Sequence, residues 1–205
     1  MDQKEKEIIE QVVQLFTRFG IKSITMDEIS RQTAMSKKTL YQYFSDKNEL
    51  VEKAVCSLIA QNSCIIKAIE DKQLNAIEEL FEVYHFVNNM VKAYNPVLEF
   101  DLQRYFPAIF KKVRERHRTD TCNLMLSNLK KGKAEGLYRK EMDEEIIAKL
   151  NLMRIEYMMQ SDLITQADVH SSSFTLEIFK YHIYGIISKA GWNYLKENYP
   201  EFVNN

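Results

Sequence analysis

The amino-acid sequence predicts an all-α protein of about nine helices. Helix-forming residues are plentiful, and only five glycines and three prolines interrupt the 205 residues, a composition that favours helices. Apolar residues recur at helical spacing, and no segment alternates as a strand would. We expect a small three-helix domain over residues 1–47 and a larger helical domain over residues 48–205.

The first three predicted helices are short and closely spaced. The first carries an apolar stripe and ends at Gly20, where a left-handed glycine cap is common. Thr25 and Glu28 are spaced as a capping box and start a second helix that runs to about Gln32. Ser36 is a good N-cap for a third helix, which is expected to run over residues 37–44.

The remaining predicted helices are longer. Ser45 and Asp46 start the fourth helix, with Glu49 completing a second capping box. The others are expected over residues 74–93, a short stretch from Pro96, residues 108–134, residues 144–166 after an Asp143 cap, and residues 174–198. A serine-rich loop is expected at residues 169–173.

Two short helices joined by a turn of three or four residues, with another helix behind them, form a helix-turn-helix unit. The second helix of such a unit lies in the DNA major groove and reads bases with its N-terminal residues. Here those residues are Lys37, Lys38 and Thr39. The net charge of −1 gives the whole chain no attraction to nucleic acid, so that attraction must come from a local patch. Residues 31–47 supply one, with four basic residues against one acidic residue.

Residues 8–55 resemble the N-terminal DNA-binding domain of the TetR (tetracycline-repressor-like) family of transcriptional regulators. The resemblance is carried by Leu15-Phe16, Gly20, Thr25, Ile29, Ser36-x-x-Thr39-Leu40-Tyr41-x-Tyr43-Phe44, Lys47 and Leu50. It implies a ligand-responsive regulator, a repressor in our interpretation, that binds a palindromic operator in double-stranded DNA as a homodimer. Residues 1–47 would bind DNA, and residues 48–205 would bind a small-molecule effector and dimerise.

The resemblance also implies roles for individual residues. Phosphate contacts are expected from Thr25, Tyr41, Tyr43 and Lys47, and base contacts from Lys37, Lys38, Thr39 and Gln42. Ser36 is expected to cap the recognition helix and to bind DNA at the N-terminus of that helix, while Leu40 and Phe44 would be core residues. Two positions depart from the family pattern, which commonly has glycine where Ala34 and Lys38 stand. At Ala34 we expect either backbone strain or a slight shift in the helix angle, and from Lys38 we expect a protein-specific contact.

The last two predicted helices are apolar on more than one side, which requires burial on two faces. Their apolar residues are Ile146, Ile147, Leu150, Met153, Tyr157, Met158, Phe174, Ile178, Phe179, Tyr181, Ile183, Ile186, Ile187 and Trp192. We expect a two-fold homodimer through these helices, with Gly185 and Gly191 allowing close approach at the seam. An effector pocket could be lined by Phe81, Tyr84, Phe100, Tyr105, Phe106, Met125 and Met153, although such residues are more often simple core.

No enzyme, metal site or cofactor site is predicted, because no nucleophile–base pair, metal-ligand spacing or phosphate loop occurs. Glu82-x-x-His85 is half of a di-iron motif and lacks its second half. Cys56 and Cys64 could form a redox switch, but buried free cysteine is ordinary core material. The basic run at residues 111–118 could bind an anionic ligand or DNA, but a solvated helix face is the default interpretation.

The charged N-terminus is unlike a signal peptide, and no apolar run is long enough to cross a bilayer. We therefore expect a cytoplasmic, nucleoid-associated protein without membrane contact. Two alternatives remain: a helical protein-binding adaptor, and a small-molecule-binding protein that has lost DNA binding.

Overall fold

The computed structural model describes residues 2–93, 95–160 and 163–204, and in these ranges the chain forms twelve helices and no strand. The predicted all-α class is confirmed, with more helices than the nine expected. The helices are α1 (Gln3–Phe19), α2 (Met26–Gln32), α3 (Lys37–Tyr43), α4 (Lys47–Glu70), α5 (Ala76–Lys92), α6 (Pro96–Tyr105), α7 (Pro107–Ala134), α8 (Glu144–Gln160), α9 (Gln166–His170), α10 (Ser172–Ile186), α11 (Lys189–Asn198) and α12 (Pro200–Asn204). Every helix in the described part of the chain falls short of the length or the apolar content that crossing a bilayer requires.

The chain packs as two units. The first comprises Met1–Ile65 and Tyr94–His117, and the second comprises Ile66–Ala93 and Arg118–Asn205. This division follows packing and groups α6 with the N-terminal helices. The functional boundary between residues 47 and 48 remains a prediction.

The first unit is built on one apolar core shared by α1, α2, α3, the start of α4, and α6. Leu40 and Phe44 are fully buried in it, which confirms them as the residues that anchor α3. Leu102 of α6 joins the same core. Because Leu40 and Phe44 stand four residues apart, they fix one face of α3 inward and leave the opposite face exposed.

The second unit has its own core, in which two glycines allow close contacts within the chain. A Cβ on Gly132 would lie 2.0 Å from the ring of Tyr138, and a Cβ on Gly191 would lie 2.1 Å from the carbonyl oxygen of Leu137. The prediction that Gly191 serves a dimer seam is therefore wrong, since its neighbour belongs to the same chain. A Cβ on Gly185 would meet nothing within 4 Å.

The C-terminal helices differ from the prediction at three places. Residues 163–165 are not helical, although the helix after Asp143 was expected to reach residue 166. The expected loop at residues 169–173 is wrong: Thr165 and Asp168 form a capping box that starts α9, and α10 begins at Ser172. The expected single helix over residues 174–198 is also wrong. It breaks at Ile187 and Ser188, because the N–H of Ser188 donates to the carbonyl of Leu137 at 2.9 Å.

Candidate nucleic-acid interface

Both helices of the predicted helix-turn-helix unit start at the residues that the sequence indicated. The hydroxyl of Thr25 accepts from the N–H of Glu28 at 3.2 Å, and the hydroxyl of Ser36 accepts from the N–H of Thr39 at 3.0 Å. The expected capping box of α2 is only half formed. The Glu28 carboxylate instead accepts from the side chains of Arg31 and Gln32.

The turn between α2 and α3 contains a residue in the left-handed region. Ala34 has φ of +53°, a conformation that costs a non-glycine residue about 1–2 kcal/mol. The turn is held because the hydroxyl of Ser30 donates to the carbonyl of Met35, and the N–H of Met35 donates to the carbonyl of Ser30 at 3.0 Å. The expected strain at Ala34 is therefore present.

The exposed face of α3 carries most of the residues predicted to contact DNA. Lys37, Lys38 and Gln42 are exposed, and Tyr41 is 50% exposed. Tyr43 is half-buried, and its ring lies 6.3 Å from that of Phe44. The face is thus polar and available to a ligand, while the contacts with DNA remain a prediction.

Three of the four basic residues in this segment have partners within the chain. Arg31 pairs with Glu28, and the Lys37 ammonium lies 2.5 Å from the carboxylate of Asp27. The Lys47 ammonium donates to the carbonyl of Ile21 at 2.7 Å. Burial lowers the pKa of Lys47, and the nearby charge of Asp101 opposes that shift.

Lys38 differs from those three residues. Within residues 31–47, all of which the structure describes, it is the basic residue with neither a hydrogen bond nor an ion pair. It is also one of the two positions at which the sequence departs from the family pattern. Its ammonium is therefore the most available cation on the candidate interface.

The start of α4 is held by a tight group of hydrogen bonds. The N–H of Ser45 donates to the Glu49 carboxylate at 2.7 Å, and the N–H of Glu49 donates to the carboxylate of Asp46 at 2.8 Å. Hydrogen bonds from Lys53 and Ser45 lower the pKa of Glu49 to about 2. The second predicted capping box is thus present. Asp46 supplies the side chain that accepts from Glu49, and Ser45 supplies the backbone N–H that donates to the Glu49 carboxylate.

Sequence reasoning missed Asp101, a carboxylate on α6 that is only 4% exposed. It accepts a hydrogen bond from the backbone N–H of Lys22, in the loop between α1 and α2, at 2.7 Å. One signal was available in the sequence: Asp101 stands between Leu98 and Leu102, two residues that pack against the core.

The residues predicted to line an effector pocket divide between the two units. Phe100, Tyr105 and Phe106 belong to the first unit, whereas Phe81, Tyr84, Met125 and Met153 belong to the second. In the first unit, Phe100 is 60% exposed, the Tyr105 hydroxyl accepts from the Lys22 ammonium at 2.6 Å, and Phe106 packs against the core. The pocket remains a prediction.

The four predicted pocket residues of the second unit have different environments. Tyr84 stacks on Phe179 at 4.1 Å between ring centroids, and Phe81 stacks on Tyr199 at the same distance. Met125 packs against the core, while Met153 is 64% exposed. Phe81 and Tyr84 are therefore engaged with other aromatic rings.

Apolar side chains on α8 form an exposed stripe. Its members are Ile146, Leu150, Met153 and Tyr157, each more than half exposed. Tyr181 on α10 is 79% exposed. The opposite side of α10 is buried through Phe179, Ile183 and Ile186, as expected of a helix with two apolar faces.

The remaining candidate sites are accounted for by ordinary contacts. Glu82 pairs with Lys72 at 2.8 Å, and His85 is exposed beside aromatic rings. In the basic run, Lys112 pairs with Glu52. No group of three potential metal ligands occurs among the described residues.

Comparison with known proteins places the N-terminal segment in a family. Residues 8–54 match the family described as bacterial regulatory proteins, tetR family. The chain is similar to the uncharacterized HTH-type transcriptional regulator YvaF of Bacillus subtilis (strain 168), with 30% identity over 102 residues, which cover 49% of this chain and 53% of that protein. The chain spans about half the length of the curated relatives it matches.

Solved structures extend the similarity to the whole fold. A transcriptional regulator from Cytophaga hutchinsonii ATCC 33406 covers 91% of this chain and 100% of its own length, with a TM-score of 0.77 at 16% identity. A TetR-family regulator from Cytophaga hutchinsonii covers 92% and 96%, with a TM-score of 0.71 at 18% identity. The N-terminal segment thus matches the tetR family of bacterial regulatory proteins, and the chain shares the all-α fold of these solved structures.

Proposed function

We propose that this protein is a transcriptional regulator, a repressor, that binds a palindromic operator in double-stranded DNA as a homodimer. The observation that carries the proposal is α3, whose Leu40 and Phe44 are fully buried while its opposite face is polar and exposed. That arrangement suits a recognition helix fixed rigidly on its domain and presented to the major groove. We further propose a cytoplasmic, nucleoid-associated location.

The proposed contacts divide into two groups. Lys37, Lys38, Thr39 and Gln42 read base edges, whereas Thr25, Tyr41, Tyr43 and Lys47 bind phosphates. Phosphate contacts fix the register of the protein on DNA, and base contacts give sequence preference. Lys38 is the proposed source of this protein's own sequence preference. It is exposed on α3, and among the basic residues of the fully described range 31–47 it is the one with neither a hydrogen bond nor an ion pair.

The proposed dimer forms through α8 and α10. Support comes from the exposed stripe of Ile146, Leu150, Met153 and Tyr157, together with Tyr181. A contiguous apolar face of this kind is unusual on a monomer. Gly185 is open to solvent and would let a partner helix approach closely. A two-fold axis would set the two recognition helices about 34–36 Å or slightly more apart, near one turn of DNA.

The proposed effector is a small molecule bound in the second domain. It would favour a state of the dimer in which the recognition helices are wrongly spaced, and so would shift the population away from DNA. Phe81, Tyr84, Met125 and Met153, which belong to the second unit, remain the proposed lining. Methionine and aromatic side chains suit an apolar effector.

One observation favours an alternative function. Arg31 and Lys37 each pair with a carboxylate of the same chain, which weakens the attraction of this segment for phosphates. A protein of this fold that binds only a small molecule or another protein would tolerate such pairing. The two functions differ in whether any DNA duplex is bound specifically.

The test is to select duplexes from a randomised pool with the full-length protein and to measure their affinity by fluorescence anisotropy. We expect an enriched palindrome bound by two protomers. Lys38→Ala should reduce the preference for that palindrome over random duplex by about ten-fold, or about 1.4 kcal/mol. Lys140→Ala, which removes an exposed lysine from the turn between α7 and α8, is the matched control. Failure to enrich any sequence would contradict the proposal.

A further inference from the structure

One peptide group in the loop between α1 and α2 is held at both of its ends. The N–H of Lys22 donates to the Asp101 carboxylate at 2.7 Å. The C=O of Ile21, which belongs to the same peptide group, accepts from the Lys47 ammonium at 2.7 Å. Asp101 lies on α6 and Lys47 is the first residue of α4, so two helices far apart in sequence meet at this group.

The two charges at this peptide depend on each other. Asp101 is buried, and Lys47 is partly buried. Burial disfavours the charged form of Lys47, and Asp101 is the charge that opposes this effect. An anion at the N–H and a cation at the C=O polarise the peptide between them in the same sense, which strengthens both hydrogen bonds. Removing the charge of Asp101 leaves the partly buried Lys47 without the anion that opposes the effect of its burial.

The loop fits closely against α6 at this point. Gly20 has φ of +78°, which favours glycine, and a Cβ there would lie 2.9 Å from the Asp101 carboxylate and 2.7 Å from the side chain of Val97. A side chain at residue 20 would therefore push the loop away from Asp101. Gly20 and the buried carboxylate of Asp101 therefore pack directly against each other.

Two further hydrogen bonds connect α6 to the same part of the chain. The ammonium of Lys22 donates to the hydroxyl of Tyr105 at 2.6 Å, and the side-chain amide of Asn95 donates to the carbonyl of Thr17 at 2.9 Å. The residues they join are separated by about eighty positions in the sequence. Lys22 of the loop is thus fixed to α6 through its side chain as well as its backbone, and the N-cap of α6 is tied to the end of α1.

We propose that Asp101 is a positioning residue for DNA binding, which fixes the Ile21–Lys22 peptide and, through it, the ammonium of Lys47. The inference rests on the proposed function, in which Lys47 contacts phosphate. An ammonium has three donors, and the carbonyl of Ile21 accepts from one of them, which leaves two for phosphate oxygens. Asp101 holds that ammonium in place without touching DNA itself.

The direction in which Asp101→Asn changes the affinity for DNA distinguishes a positioning role from a simple effect of net charge. Asp101→Asn removes one negative charge from the DNA-binding unit, and electrostatics alone would then strengthen binding. Positioning has the opposite consequence, because Lys47 loses the anion that compensates its burial. Asparagine keeps an acceptor for the Lys22 N–H, so this substitution changes the charge and preserves the shape.

The experiment measures the affinity of the full-length protein for a duplex of about 30 base pairs, long enough for two half-sites, selected by the wild type from a randomised pool. Asp101→Asn should weaken binding about five-fold and make the salt dependence shallower, as expected when a phosphate contact is lost. Lys47→Ala should have a similar effect, and the double variant should be no weaker than Lys47→Ala alone. Glu99→Gln, the same charge change on α6, is the control and should not weaken binding.

The possible outcomes distinguish the inference from the proposed function. Tighter binding by Asp101→Asn, or additive losses in the double variant, would overturn the positioning role. If Asp101→Asn does not fold by circular dichroism, Asp101→Glu tests the same point, because it keeps the charge, displaces the carboxylate and should also weaken binding. A wild type that binds no duplex would overturn the proposed function and this inference together. Normal wild-type binding with an unaffected Asp101 variant would overturn the inference alone.

Discussion

The turn between α2 and α3 stores strain at a single residue, Ala34. Its φ of +53° costs alanine about 1–2 kcal/mol and costs glycine almost nothing. Replacing Ala34 with glycine would remove this cost, but part of the resulting gain in stability is offset because glycine makes the unfolded chain more flexible. Ala34→Gly should therefore raise the free energy of unfolding by about 1 kcal/mol, measured by urea denaturation.

Ala60→Gly is the matched control for this substitution. Ala60 is an exposed residue inside α4, where glycine should lower the free energy of unfolding by about 1 kcal/mol. Equal losses in the two variants would show that Ala34 is not strained in solution. The two results together separate backbone conformation from the general effect of glycine.

Local chemistry explains which single residues were predictable. Thr25 and Ser36 cap their helices as expected, because a cap is set by residues two or three positions apart. Asp101 was missed because its partner Lys22 lies 79 residues away in the sequence. The role of Gly191 was misread because its neighbour Leu137 lies about 50 residues away. No local pattern contains such contacts.

The start of α4 makes a prediction at the scale of a helix. Hydrogen bonds from Lys53 and Ser45 hold the pKa of Glu49 at about 2, below its ordinary 4.5. Because the folded-state pKa is depressed, the carboxylate stabilises the fold fully above about pH 4.5, and this stabilisation is lost as pH falls through about 2. Glu49→Gln should therefore unfold at lower urea than the wild type near pH 7, with a difference that shrinks toward pH 2.

Glu10→Gln, the same substitution on an exposed position of α1, corrects this comparison for the change in net charge. A difference between the wild type and Glu49→Gln that stays constant from pH 7 to about pH 2 would contradict the assigned role of the carboxylate.

The boundaries of α9, α10 and α11 illustrate what sequence leaves open at this scale. The capping box at Thr165 and Asp168 was visible in principle but was obscured by the three serines that follow. The break at Ile187 was not visible, because it is caused by hydrogen bonds to residues 137 and 139 in another part of the unit. Periodicity predicts that a helix exists more reliably than it predicts where a helix ends.

The proposed dimer is tested at the scale of the whole molecule. Leu150 lies in the middle of the exposed stripe on α8 and is 55% exposed, so Leu150→Glu should leave the fold of one chain intact. In the dimer the same change would bury an unpaired charge. We expect the dissociation constant of the dimer to rise at least ten-fold, or by more than about 1.4 kcal/mol, measured by sedimentation equilibrium.

Ile65→Glu is the control for the dimer, because Ile65 is a similarly exposed apolar residue of α4. A wild type that remains a monomer at high concentration would contradict the proposed interface, and so would equal effects of the two substitutions.

The stripe was foreseen from the two apolar faces of the last helices, whereas its precise members depended on which face the core of the second unit buried.

The candidate DNA-binding face was the most predictable part of the molecule, because its residues lie close together in one motif of the sequence. The exposure of Lys38 and the burial of Leu40 follow directly from their spacing on α3. The effector pocket was the least predictable part, because aromatic residues such as Phe81 and Tyr84 pack against rings from distant helices. Spacing along one helix does not distinguish the wall of a pocket from the core.

The most direct test of DNA binding through α3 is the salt dependence of affinity for a selected duplex, compared between the wild type and the double variant Lys37→Ala and Lys47→Ala. Each lysine that neutralises a phosphate contributes about 0.9 to the slope of log affinity against log salt concentration. Because Lys47 is the proposed phosphate contact and Lys37 a proposed base contact, the double variant should bind at least ten-fold more weakly at low salt, with a slope shallower by about one. Unchanged affinity with an unchanged slope in the folded double variant would contradict the account.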